Sequence, residues 1–164
     1  MPRTLPLILS LIDSKDISGK KSSSSVYFEL LSRHGSDGII EMGKESDHAF
    51  AAGYQGSRAV RTWRERMNTL ENNHFIITKQ VGNERYGYVA LIHPSTAVQR
   101  LLEEKRVPAI WMSAYLHRKL ETKEPTYEKR MEKLEAAQNV VPITAAKNAK
   151  HSVPITPFKR NRKI

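Results

Sequence analysis

Between residues 57 and 70 every apolar side chain larger than alanine falls on one helical stripe. Val60, Trp63, Met67 and Leu70 follow the i, i+3, i+7, i+10 spacing that a 3.6-residue period places on one face. Four arginines occupy much of the remainder. At about 100° per residue, Arg58, Arg61, Thr62, Glu65 and Thr69 point away from the stripe, while Arg64 and Arg66 sit on its two flanks. Upstream, the apolar run Leu5–Ile12 predicts a short helix packing on the domain. Residues 15–25, with Lys20, Lys21 and four consecutive serines, predict a flexible connector. Val26, Tyr27, Leu30 and Leu31 then give an apolar side to a helix over 26–33, capped by Ser24 or Ser25 and closed by Gly35.

The pattern shifts after that helix. Ser36, Asp37 and Gly38 predict a turn, and residues 39–42 a short strand. A second helix follows, with Ser46 as cap, Asp47 in its first turn against the positive end of the helix dipole, and Ala49 to Ala52 as its body. Gly53 and Gly56 permit a tight corner, after which Ser57 caps the arginine-bearing helix. Residues 74–78 read as a β-branched and aromatic strand, 80–84 as a turn, and 85–92 as the returning strand of a hairpin. Simple alternation puts Tyr86 and Tyr88 on one face, an arrangement able to stack the bases of a single strand. The competing expectation has one tyrosine covering the core and the other shielding the sheet.

Beyond the hairpin, Pro94 and Ser95 open a helix over 96–105 that turns Val98, Leu101 and Leu102 inward. After Pro108, Ile110, Trp111, Ala114, Tyr115 and Leu116 recur at helical spacing over 108–121. That apolar face is too large for a helix alone in water, so it packs on the domain or on a second copy. A charged helix over 127–138 carries only a thin seam of Tyr127, Met131 and Leu134. From Val140 onward three prolines, scattered lysines and no acid predict disorder.

Composition narrows the class. A length of 164 residues suits one domain with appendages. The expected organisation is an apolar segment and connector (1–25), a central module (26–93), a helical extension (94–138) and a basic tail (139–164). Cysteine is absent, which excludes disulfides, thiolate metal sites and a cysteine nucleophile, and fits a reducing, cytoplasmic setting. Leu5–Ile12 is well short of the roughly 18 to 20 residues of a membrane span and lacks the flanks of a secretory signal, so no membrane partner is expected. The net charge of +10 invites a nucleic-acid partner. Its distribution is uneven: residues 138–164 carry six bases and no acid, whereas 35–93 carry seven of each. The central module is thus neutral in sum but polarised, with four arginines and one glutamate in 57–70.

The order helix, short strand, helix, tight turn, helix, hairpin over residues 26–92 resembles a winged helix-turn-helix domain, with residues 46–92 carrying most of the likeness. The expected fold is mainly α with a small β-hairpin: a winged helix-turn-helix core with extra C-terminal helices. The resemblance implies that the third helix enters the major groove of double-stranded DNA and that the hairpin, the wing, meets backbone or minor groove. By position the contacts are then Arg58, Arg61, Thr62 and Glu65 on the helix, and Lys79, Gln80, Asn83 and Arg85 on the wing. Arg58 or Arg61 suits a guanine edge, Glu65 a cytosine amino group, and Thr62 a thymine methyl or a phosphate. Arg64 and Arg66 suit backbone phosphates, which set position rather than sequence. Glu84 at the wing tip is an acid that repels phosphate where it points inward.

Trp63 and Met67 are expected in the core, since they share the stripe with Val60 and Leu70. The cluster at 159–163 is expected either to lie along phosphates or simply to solubilise. Catalysis has little support. His34, Asp37, Glu41, Glu45, Asp47 and His48 lie near one another in sequence, yet show no paired-histidine spacing, phosphate-cradling loop or nucleophile elbow. His93 and His117 read as structural or surface groups. No cofactor or metal is expected. The expected function is a non-enzymatic, sequence-specific DNA-binding protein, a bacterial, plasmid or phage transcription regulator. It would pair as a homodimer through Ile110, Trp111, Ala114 and Tyr115. The alternatives are a plasmid or phage replication or partition factor, and a winged-helix adaptor that binds protein instead of DNA.

Overall fold

The computed structural model describes residues 3–35, 37–123 and 127–139. Leu5, Ile8, Leu11 and Ile12 share one side of helix α1 (Leu5–Ile12), and all four are buried. A single turn, α2 (Lys15–Ser18), follows and buries Ile17 and Ser18. Residues 15–25, expected as a flexible connector, are therefore a folded corner. The reason lies in one carboxylate: Asp13 Oδ1 accepts the Ser23 and Ser24 N–H groups at 2.9 Å each, and Oδ2 accepts the Ser24 hydroxyl at 2.6 Å. Asp13 thereby closes the start of α3 (Ser24–Arg33) from ten residues upstream. The cap expected from Ser24 or Ser25 is absent, because Ser24 is already helical and spends its hydroxyl on Asp13.

Val26, Tyr27, Leu30 and Leu31 turn inward from α3 as their spacing requires. Strand β1 (Ile39–Glu41) leads to α4 (Glu45–Ala51) and then, through the Gly53 and Gly56 corner, to α5 (Ala59–Asn72). Both glycines take positive φ (90° and 83°), which is what lets the chain turn so sharply. The caps expected from Ser46 and Ser57 do not form: Lys44 and Arg58 stand at those positions, and neither side chain bonds the helix end. Trp63, Met67 and Leu70 are fully buried, as the stripe predicts. Trp63 stacks on His48 at 5.8 Å and meets Tyr86 edge-on at 5.2 Å. Tyr27 meets Phe75 in the same manner at 5.4 Å. These rings join α3, α4, α5 and the sheet in one core.

The hairpin is β2 (Ile76–Val81) and β3 (Glu84–Leu91), and β3 lies between the other strands in an antiparallel sheet of order β1-β3-β2. Its two-residue loop, Gly82 and Asn83, has φ of 57° at Gly82, the conformation a type II′ turn asks of its first central residue. A register shift between Lys79 and Val81 bends the ribbon. It also breaks the alternation along β3: Tyr86 is buried against Trp63, whereas Tyr88 is exposed on the outer face. The expected shared tyrosine face is thus absent, and Tyr86 belongs to the core. Gly87 is fitted to the bend, since a Cβ there would collide with the Val81 side chain.

The C-terminal helices belong to the same body. In α6 (Pro94–Glu103), Ala97, Val98 and Leu101 are buried, while Leu102, expected inside, is exposed. Arg106 then reaches back, donating to the Asp16 carbonyl at 3.2 Å and to Asn73 Oδ1 at 2.6 Å. Helix α7 (Ala109–Thr122) docks on α1 through Trp111, whose indole N–H donates to the Leu7 carbonyl at 2.9 Å. Tyr115 stacks on Trp111 at 4.9 Å and is buried. Helix α8 (Tyr127–Asn139) lies against α6. No helix among the described residues is long and apolar enough to cross a membrane. The basic tail, including 159–163, lies outside the described residues.

Candidate nucleic-acid interface

The corner between α4 and α5 sets the wing side of α5 beside the turn end of the hairpin. Arg58, at the N-cap of α5, is exposed and its side chain makes no hydrogen bond or ion pair among the described residues. Arg61, one turn on, is the most open of the arginines in ion pairs, at 82 % side-chain exposure. Its Nε lies 3.5 Å from Glu65 Oε1. Thr62 is half-buried behind them. A groove lined by Lys44, Glu45, Val60, Arg64, Asn83 and Arg85 separates α5 from the wing tip.

Arg64 lies on the wing side of the helix and is held across the corner by Glu45 of α4, which accepts from its Nε at 2.8 Å and also from Nη2. This bond raises the guanidinium above its ordinary pKa. Arg66 leans the other way and is mostly covered, at 15 % side-chain exposure, and its buried Nε and Nη1 have no hydrogen-bond acceptor among the described residues. Two of the four arginines therefore stand open, one is latched to a neighbouring helix, and one is tucked against the fold. Nothing local in the sequence marks this division, because Glu45 and Arg64 are 19 residues apart.

On the wing, Arg85 is exposed but tethered: its Nη2 donates to Asn68 Oδ1 at 2.7 Å, and the guanidinium lies over the Tyr86 ring at 5.3 Å. Asn68 also accepts the Tyr86 hydroxyl at 3.0 Å, so this one amide fixes the wing to α5. The sequence gives no hint of that role. Gln80 turns its side-chain amide to the Gly82 carbonyl at 2.9 Å, stiffening the tip. Asn83 and Glu84 are exposed at that tip. Lys79 is exposed in the cross-strand row of Glu41 and Tyr88, on the sheet face opposite the core.

Glu65 is the centre of a second group. Its Oε2 accepts from Lys21 Nζ at 3.1 Å and lies 3.8 Å from Arg66 Nη1, while Oε1 faces Arg61. The Lys21 ammonium, then Arg61 and Arg66, hold the Glu65 carboxyl below the usual carboxylate range. Lys21 was unpredictable from its neighbours, since it lies 44 residues from Glu65 in a stretch expected to be a connector.

His48 is buried and fully used by the fold. The Gly43 N–H donates to its Nε2 at 3.2 Å, which leaves Nδ1 to donate to Glu29 Oε1 at 3.0 Å. Arg33 pairs with the same carboxylate. The chain matches no protein-family model, no curated protein and no solved structure.

Proposed function

We propose that this protein is a winged helix-turn-helix, sequence-specific binder of double-stranded DNA, with α5 as the element that enters the major groove. The observation that carries the proposal is the placement of Arg58 and Arg61: both stand open on the face of α5 opposite Trp63, Met67 and Leu70, beside a hairpin tied to the same helix by Asn68. The sheet order β1-β3-β2 and the element order from α3 to β3 are compatible with that family's arrangement. Arg58 and Arg61 are then the candidates for base edges, because only an arginine free to reorient can meet a guanine bidentately. Arg64, held by Glu45, is suited to a fixed phosphate contact. Arg85 and Lys79 supply charge along the wing.

Pairing of two copies belongs to the same proposal, with a changed surface. Trp111 and Tyr115 are committed to α1 and to each other, so Ile110 and Ala114 remain from the expected set, with Leu120 exposed on the same helix. A symmetric dimer would place two half-sites roughly 34 Å apart. Control of transcription and a replication or partition role use the same contacts.

The test is selection of bound duplexes from a random pool, followed by titration of the enriched site. An enriched site with two-fold symmetry is expected. Affinity should fall with salt, at a log–log slope near about −5 for roughly six phosphates. No enrichment together with a flat salt response refutes the proposal and leaves the protein-adaptor role.

A further inference from the structure

Three cations from two separate parts of the chain surround the single carboxylate of Glu65. Lys21 comes from the turn between α2 and α3, whereas Arg61 and Arg66 come from α5 itself. The group carries more donors than Glu65 can serve. One carboxylate faces an ammonium and two guanidinium groups, of which Lys21 and Arg61 are open to solvent while Arg66 is mostly covered. Three cations around one carboxylate leave a net positive charge, and its solvent-exposed part at Lys21 and Arg61 favours a further anion. The turn that supplies Lys21 is anchored rather than loose, through Asp13 on Ser23 and Ser24 and through the Asn73 amide on the Ile17 carbonyl. Lys20 is exposed next to it.

We infer that Glu65 is a built-in stand-in for a DNA phosphate. In the free protein it holds Lys21 and Arg61 together, and on binding a backbone phosphate takes its place on Lys21, which releases Arg61 to a base edge. The turn between α2 and α3 thereby becomes a backbone clamp on α5. This inference rests on the DNA-binding proposal and gives Glu65 a role other than reading a cytosine. Its consequence is discrimination: any duplex must displace the carboxylate, so weak, non-specific contacts lose most of the benefit of Lys21, and a matched site compensates through Arg58 and Arg61. Exchange of this kind moves no covalent bond and needs only rotation of half-exposed side chains.

The experiment measures binding of the full chain to the selected duplex and to a random-sequence duplex across a salt series. The proteins compared are the unaltered one, Glu65→Gln, Lys21→Ala and Arg61→Glu, with circular dichroism to verify folding. Glu65→Gln should bind the random duplex more tightly, by roughly threefold or more, the worth of one exposed ion pair. The selected-to-random ratio should fall with it. Lys21→Ala should weaken both duplexes and make the salt slope shallower by about one. Unchanged random-duplex affinity in Glu65→Gln overturns the inference, as does a loss confined to the selected duplex, which marks Glu65 as a base reader. Failure of the unaltered protein to bind any duplex refutes the DNA-binding proposal itself, and normal binding lost in Arg61→Glu separates the two failures.

Discussion

Helices α5 and α7 are both 14 residues long, and both carry a tryptophan on an apolar face, yet the fold uses them in opposite ways. In α5 most of the apolar stripe is consumed: Trp63, Met67 and Leu70 have no exposure, Val60 is half-buried, and what is left outside is polar or charged. In α7 only Trp111, Tyr115 and the face next to them are engaged, and Ile110 and Leu120 stay outside at 85 % and 79 % exposure. An apolar stripe in the sequence therefore means two different things here. On α5 it anchors a charged face; on α7 it is divided between docking on α1 and an exposed apolar surface.

The largest expected effect tests the anchoring. Trp63→Ala should destabilise by about 3–5 kcal/mol, since it removes the ring between His48 and Tyr86 and leaves a cavity. Trp111→Ala should cost roughly half as much because that ring is only partly buried. Thermal melts of the two that show equal losses would erase the contrast between the helices. Next, Arg61→Glu should lower duplex affinity by about ten- to a hundredfold with the melting temperature unchanged, as expected for a fully outward guanidinium. A lowered melting temperature would show that the outer face of α5 also supports the fold.

A smaller effect concerns the corner that positions α3. Asp13→Ala should cost about 0.5–2 kcal/mol, the range for losing a helix cap. Burial pushes the Asp13 carboxyl up, but the hydrogen bonds from Ser24, then Ser22 and Ser23, outweigh it and hold the pKa below its ordinary value of 3.8. A lowered folded-state pKa stabilises the protein above the ordinary value, and that contribution is lost as pH falls through the folded one. Denaturation below pH 4 should therefore erode the difference between the unaltered protein and Asp13→Ala, and a constant difference would refute the assignment. The smallest change in folding belongs to Leu120→Glu, expected within ~0.5 kcal/mol for an exposed site. Sedimentation should nevertheless show loss of the proposed dimer, and an unaltered mass would remove α7 from the pairing surface.

Much of the element order was legible because hydrophobic periodicity is a local signal. Val60 to Leu70 repeat with a helical period, and α5, α4, the glycine corner and the hairpin all follow from residues a few positions apart. The misses share a cause as well. Ser24, Ser46 and Ser57 look like caps to a rule that sees only neighbours, while the group that closes α3 sits at Asp13. Tyr86 and Tyr88 separate because the register shift puts extra residues into β3 between Tyr88 and the turn and breaks alternation, and Trp111 turns inward where α1 offers the Leu7 carbonyl.

The sequence by itself determined most of the stretches that are helix or strand and the apolar side of most of them, since both depend on chain geometry over one or two turns. Only the tertiary structure decided which cations are open and which are held. Lys21 with Glu65, and Glu45 with Arg64, are distant in the chain and adjacent in space. Charge pairing depends on separation in three dimensions and is screened by salt beyond roughly 10 Å, so it is settled where the folded elements meet.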